Sequence, residues 1–320
     1  MEAYQQMDLL NQSQIKTIIQ NNGLVTKAKR TTYLEGNVFE CLLLYPEYFD
    51  DLYIVSDVKL DGKVAGIIER MFENTTEYYP LDQFPESILP YASDFGGTTW
   101  TDKTKITKVL EQGLNYWNHL WDAKGKTVVP LEMRNYLDEQ KRNCLNHEFF
   151  PKFNPANIEL QYITTGLFYG EPCKGLVDIL EIDDEYVQPW DLKFTSFPVD
   201  QFEGKVRGLR YDVQDSWYTD LLKIQFPDKE VRPMKFLVWN RDLRIITLND
   251  HTRKVARWGI SRDGRYGYDM NMNEVAIKGI HQAMQQYLWS KDTGINYPKH
   301  VYDNHGQITV DAYDYIPSGE

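Results

Sequence analysis

Two stretches near the middle of the chain alternate apolar and polar residues: "IELQYITTGLFYG" at 158–170 and "VDILEIDDEYVQPWDLKFT" at 177–195. In the second, Val177, Ile179, Leu180, Leu192 and Phe194 predict strands with a buried side, and Asp183, Asp184 and Glu185 predict the turn between them. Upstream, "QSQIKTIIQ" predicts a short helix and "YLEGNVFECLLLYPEYF" a second one, ended near Pro46. Residues 51–70 alternate loosely and fit a strand or a helix start equally. From about 100 to 150 the period is helical. Ile106, Val109, Leu110, Leu114, Trp117 and Trp121 share one face, and Leu131, Leu137, Cys144, Leu145 and Phe149 do so less cleanly. "VDQFEGKV" and "RYDVQDSWYTDLLKI" predict helices, "MKFLVWN" and "LRIITL" a hairpin across Arg241-Asp242, and roughly 272–290 a last helix. Helices, a strand cluster, helices, two strands and a helix make an α/β chain with a central mixed sheet under helical cover. No repeat or linker divides it, so the expectation is one domain over 1–320 with a helical insertion at about 95–150.

Composition narrows the function. The 320 residues can bury a full core, and no apolar run reaches membrane-spanning length. The N-terminus lacks a signal-peptide pattern, which leads to the expectation of a cytoplasmic protein, in a bacterium or a phage-infected host, with no membrane partner. Three scattered cysteines (Cys41, Cys144, Cys173) form no CxxC pair, and the six histidines include no HExxH, so soft-ligand metal sites are not expected. A net charge of −12 argues against a wholly basic nucleic-acid-coating surface. The span from Lys193 to Arg244 is less acidic, with ten Lys/Arg against eight Asp/Glu.

The hairpin carries the candidate chemistry. If its turn centres between Asp184 and Glu185, Asp178 stands directly opposite Asp191, and Lys193 falls on the same face by period-2 alternation. Two facing carboxylates repel unless a cation lies between them. Oxygen donors with open positions suit Mg²⁺, with Mn²⁺ as a substitute, and a neighbouring lysine suits phosphodiester chemistry. Alone, this pattern fits solvent-face strand residues better. Three features shift the balance. Gly175 allows close backbone approach before Asp178. Gln214 and Tyr218 share a helix face with Tyr211, leaving Val213, Trp217 and Ile224 for a separate buried face. Gly36 would let a helix approach the sheet closely, and Glu40 sits four residues on in an otherwise apolar run. Lys205, Arg207 and Arg210 are candidates to hold a DNA backbone, a solvated basic face being the alternative. Glu159 could support a metal through water, though an edge-strand carboxylate is the simpler reading.

In order, Gly36-x-x-x-Glu40, Gly175-x-x-Asp178, Asp191-x-Lys193 and Gln214-x-x-x-Tyr218 resemble the motifs of the RecB-like branch of the PD-(D/E)xK nucleases. The surrounding segments, roughly 10–60 and 145–225, are similar to the phage exodeoxyribonuclease VIII type. The resemblance implies a restriction-endonuclease-like core and a metal held by Asp178 and Asp191. It also implies Lys193 as the catalytic lysine and Gln214 and Tyr218 at the DNA. Glu40 departs from the histidine that many RecB-like members carry there, but other members of the superfamily use a glutamate from that helix. The iron–sulfur-bearing relatives need four cysteines, so no such cluster is expected here.

What this implies is a metal-dependent exonuclease acting at duplex DNA ends in phage recombination or repair. A single-strand annealing protein and a homo-oligomeric ring are its expected partners. The rivals are an endonuclease of the same superfamily, a DNA-binding protein that kept the fold without the chemistry, and an unrelated phosphate-binding protein.

Overall fold

Asn11 ends an extended segment and starts a helix. Its Oδ1 accepts from the backbone amides of Ser13 and Gln14, and the Gln14 side chain accepts in return from the Asn11 amide at 2.9 Å. This reciprocal cap satisfies donors that a helix start leaves open and bounds the helix at Gln12–Gln20, the segment that the sequence predicts.

The computed structural model describes residues 2–21, 34–93, 95, 100–261, 263–267 and 275–296. In chain order the elements begin with α1 (Glu2–Gln6), β1 (Leu10–Asn11), α2 (Gln12–Gln20), α3 (Leu34–Leu44) and α4 (Phe49–Leu52). Then come β2 (Tyr53–Val55), α5 (Lys63–Glu73), α6 (Asp102–Asp122), β3 (Thr127–Val129) and α7 (Leu131–Leu145). The long strands β4 (Ile158–Phe168), β5 (Glu171–Ile182) and β6 (Tyr186–Phe194) precede α8 (Phe202–Leu209) and α9 (Tyr211–Gln225). The chain continues through β7 (Glu230–Val231), β8 (Lys235–Trp239), β9 (Leu243–Thr247), α10 (Asp250–Trp258), β10 (Ile260–Ser261), β11 (Val275–Ile277) and α11 (Ile280–Thr293). By its internal contacts the chain divides into two compact units, residues 1–36 with 143–320, and residues 37–142.

The first unit holds a seven-stranded mixed sheet flanked by helices, in the order β1-β5-β6-β8-β9, with β4 on β5 and β7 on β6. β4, β5 and β6 are successive antiparallel neighbours, β6 and β8 run parallel, and β9 returns antiparallel to β8. The central hairpin has the expected register: Ile182 faces Val187, Glu181 faces Gln188, Leu180 faces Pro189 and Ile179 faces Trp190. The Asp183 amide donates to the Tyr186 carbonyl at 2.9 Å, closing a two-residue turn at Asp184-Glu185. The core joins Val177, Leu180, Val187, Phe236 and Val238 of the sheet to Ile15, Ile18, Phe202, Val213, Trp217, Leu221 and Met284 of the helices. Burial of such side chains, worth about 1.5–3 kcal/mol each, dominates what holds helices to a sheet.

The second unit pairs β2 with β3 in parallel and buries one face of α6. Val109 and Trp117 are fully buried there, and Ile106, Leu110, Leu114 and Trp121 are partly so, which is the predicted stripe. Residues 51–70, readable either way, contain both a strand (β2) and a helix start (α5).

Three expectations need correction. The last helix starts at Ile280 rather than near 272; Val275–Ile277 is a strand, and 268–274 lie outside the described residues. In α7, Leu137 and Cys144 are buried as expected, while Leu131 and Leu145 are exposed, as is Phe149, which lies beyond the helix's end. A Cβ on Gly36 would meet nothing within 4 Å among the described residues, so the expected close approach is not seen among them. Among the described residues, no helix is long and apolar enough to cross a membrane.

Candidate active site

The site lies where two strands part. β5 and β6 pair from the turn as far as Ile179 and Trp190, and the ladder stops one step before Asp178 and Asp191. Beyond that point β6 continues beside β8, with Asp191 opposite Phe236 and Lys193 opposite Val238. Farther along the same edge of β5, with β4 on the other, β1 joins it at Cys173 and Lys174. Asp178 takes over the backbone donor that the parting strands leave: Leu192 N–H donates to its Oδ2 at 2.8 Å. Alternation also slips here. Val177 and Leu180 are three apart yet enter the same core, and Gln161, which would face Asp178 from β4, has φ 51°. Such local irregularities re-aim side chains.

Asp191 points into the helix-covered face and is 2% exposed. A buried carboxylate must be paired and hydrogen-bonded to persist. Its Oδ1 accepts from the Gln214 side-chain amide of α9, and its Oδ2 lies 2.5 Å from Lys193 Nζ without accepting a well-directed hydrogen bond. Burial pulls the Lys193 ammonium down, but Asp191 first and then Asp178 and Tyr211 outweigh it and hold its pKa above the ordinary lysine range. The side chain is therefore a fixed cation in this arrangement.

α9 differs from its expected two-faced form. Asp212, Val213, Gln214, Asp215, Ser216, Trp217, Tyr218 and Thr219 are all buried in sequence, while Ile224, expected inside, is 48% exposed. The polar residues are accommodated because each has a partner inside the protein: Gln214 on Asp191, Asp212 on Arg210, Asp215 on the Met234 amide, Ser216 on the Arg253 carbonyl. Tyr218 stands against Gly175, and burial, then Tyr4, Asp191 and Asp178, push its phenol well above the ordinary range, so it stays neutral.

The basic candidates separate. Lys205 and Arg207 are exposed on α8, Lys205 with its ammonium 4.4 Å from the centre of the Phe197 ring. Arg210 is buried, and its guanidinium is committed to the Asp212 carboxylate at 3.0–3.3 Å and to the Lys278 carbonyl at 3.0 Å. Holding a DNA backbone would require those bonds to break. Glu40 lies on α3 within the second unit, half-buried, and its Oε1 accepts from the Tyr45 hydroxyl at 3.3 Å. Glu159 is exposed on β4. A cleft lined by Glu203, Arg207, Arg210, Asp212, Arg244 and Lys278 runs beside α8, and Asp178, Asp191 and Lys193 are not among its walls.

One residue was missed. Lys16 of α2 flanks the buried stripe of Ile15, Ile18 and Ile19, and its ammonium lies 5.3 Å from the centre of the Tyr211 ring. Lys193 lies 5.0 Å from the same centre. Burial first, then Lys193, bring the Lys16 pKa down to about 7, against the opposing pull of Asp191 and Asp212. The signal in the sequence was a lysine beside an apolar stripe, which reads as ordinary amphipathicity.

Among the described residues, no group of three or more His, Cys, Asp or Glu side chains is placed to hold a metal ion. Two carboxylates from the parting strands, one with an oxygen that accepts no hydrogen bond, are the available hard donors. They fit a cation such as Mg²⁺, which takes one or two protein carboxylates and fills its other positions with water and phosphate.

No family model matches the chain, and no curated protein matches it. A crystal structure from Eubacterium rectale, of a protein provisionally named an exonuclease, is similar at a TM-score of 0.38 and 13% identity. The match covers 83% of this chain and 94% of that one.

Proposed function

We propose that this protein is a divalent-metal-dependent nuclease that hydrolyses DNA phosphodiester bonds. One observation carries the reading: Asp191, buried between the Lys193 ammonium and the Gln214 amide, at the fork where its strand leaves that of Asp178. Burying a carboxylate–lysine pair is expensive and adds little to stability over an apolar replacement, so its place beside a second carboxylate supports a chemical use.

Asp178 and Asp191 would hold Mg²⁺ or Mn²⁺, which supplies positive charge to a phosphate and acidity to a water. The Gln214 amide fixes the plane of the Asp191 carboxylate. Lys193, kept charged by its neighbours, stabilises negative charge that develops on the phosphoryl oxygens as water attacks phosphorus and the P–O bond to the leaving strand breaks. Tyr218, neutral and packed on Gly175, holds α9 against β5 beside the site. Lys205 and Arg207, exposed on α8, would meet backbone phosphates in this reading. The motif order supports the PD-(D/E)xK assignment and action at duplex ends in recombination or repair. An annealing-protein partner and a ring-shaped oligomer belong to the same reading.

The test is digestion of end-labelled linear duplex DNA and of covalently closed circles, with Mg²⁺, with Mn²⁺ and with neither, by wild type and Asp191→Asn. Metal-dependent release of nucleotides from the linear substrate alone, absent in the variant, is the expected result. Cleavage of the circle would make the enzyme an endonuclease, and DNA binding with no cleavage in either metal would leave a binding protein on this fold.

A further inference from the structure

We infer that Lys16 is a phosphate-binding residue of the same site, a second cation that engages the bound DNA strand beside the one acted on by Lys193. The inference rests on the nuclease reading and adds a residue that the four motifs do not contain.

Three observations support it. The Lys16 ammonium and the Lys193 ammonium share the ring of Tyr211, at 5.3 and 5.0 Å from its centre, so the two charges lie within about 10 Å of each other. Phe202 stacks on that ring, with centroids 5.3 Å apart and planes 9° apart, so the ring that both lysines adjoin is held in place. The two cations differ in their compensation. Lys193 has Asp191 at 2.5 Å, whereas Lys16 has no ion pair or hydrogen bond among the described residues, although Asp191 and Asp212 act on it from farther off. Asp212 is already taken by Arg210 in a three-bond fork.

A half-buried lysine with no ion pair or hydrogen bond among the described residues is costly, since burial and the like charge of Lys193 both disfavour its ammonium. An anion arriving between the two lysines removes that cost. The helix α2 is held in place by its cap and by Ile15, Ile18 and Ile19 in the core, so Lys16 is presented from a rigid element rather than a loop. The chemistry that such a pair recognises, next to two carboxylates suited to a divalent cation, is a phosphodiester.

The experiment measures binding of a short fluorescent DNA duplex to the full chain in EDTA, across a range of salt, for wild type, Lys16→Gln and Lys16→Arg. A thermal melt of each variant accompanies it. Removing one phosphate contact lowers the magnitude of the slope of log affinity against log salt by about 1. Lys16→Gln is expected to show that loss, with affinity down about threefold to tenfold at low salt and a melting temperature no lower than wild type. Lys16→Arg is expected to keep both slope and affinity. A wild type that binds DNA and a Lys16→Gln variant with the same slope and affinity would overturn the role of Lys16 and leave the nuclease reading standing. A wild type that neither binds nor cleaves DNA would overturn both.

Discussion

Gly175 lies close against the ring of Tyr218: a Cβ placed on it would stand 2.8 Å from Cδ1 and 2.9 Å from Cε1, and 2.9 Å from Thr164 Cγ2. Gly175 is not at a positive φ, so it is the space and not the backbone conformation that excludes a side chain. The contact joins two motif residues 43 positions apart in the chain and sets how closely α9 approaches β5.

Gly175→Ala must therefore displace a buried ring, an overpacking cost of about 1–3 kcal/mol. A melting temperature lower by several degrees is expected, at about 2–4 °C per kcal/mol for a chain of this order of size. Gly36→Ala is the contrast, because on its helix the Cβ meets nothing within 4 Å among the described residues. Alanine is favoured over glycine there by up to about 1 kcal/mol, so its melt should hold or rise slightly. Equal losses from both substitutions would show that the Tyr218 contact does not set the packing.

The amide of Gln214 fixes Asp191 Oδ1. Supports of this kind are worth about 10- to 100-fold in metal affinity or activity. Gln214→Ala should raise the Mg²⁺ concentration for half-maximal cleavage about tenfold, and Gln214→Glu should do worse, since it sets a like charge against the carboxylate. Metal titrations of cleavage read this directly. An unchanged Mg²⁺ requirement in both would mean that the carboxylate is oriented by other contacts.

Asp215 is fully buried, accepts from the Met234 amide at 3.0 Å and lies 3.8 Å from Arg253. Burial raises its pKa to about 6 against the opposing pull of the Met234 amide, Arg253 and Arg257. A carboxyl whose pKa is raised on folding contributes its stability below the unfolded value of 3.8 and loses it as pH rises through 6. Asparagine cannot ionise. Relative to wild type, Asp215→Asn should gain on the order of 2–3 kcal/mol between about pH 4 and pH 7. Denaturant melts at several pH values would show it, and a difference independent of pH would contradict the buried ionisation.

Much of this was legible in the chain. The hairpin register followed from where Asp183, Asp184 and Glu185 fell between two apolar arms, because a turn position fixes every facing pair. The limits of α2 and the stripe of α6 followed from periodicity, since both bury a single face. α9 did not, because a polar residue reads as solvent-facing unless its partner is known. The partners of Gln214, Asp212 and Asp215 lie 23, 2 and 19 residues away, on β6, at the helix's own start and just before β8. Lys16 was hidden for the same reason: its neighbours Tyr211 and Lys193 are 195 and 177 residues distant. Periodicity finds faces, and long-range pairing decides what a polar side chain on a face is for.

The most direct test of the account is single-turnover digestion of duplex DNA by Lys193→Met in saturating Mg²⁺, with binding of the same DNA measured alongside. The substitution keeps most of the side-chain length and removes the charge beside Asp191. The account predicts retained binding and a cleavage rate lower by at least about 10²-fold, the scale on which an electrostatic stabiliser acts. A rate within about threefold of wild type would show that the Asp191–Lys193 pair is structural and that the chemistry, if any, lies elsewhere.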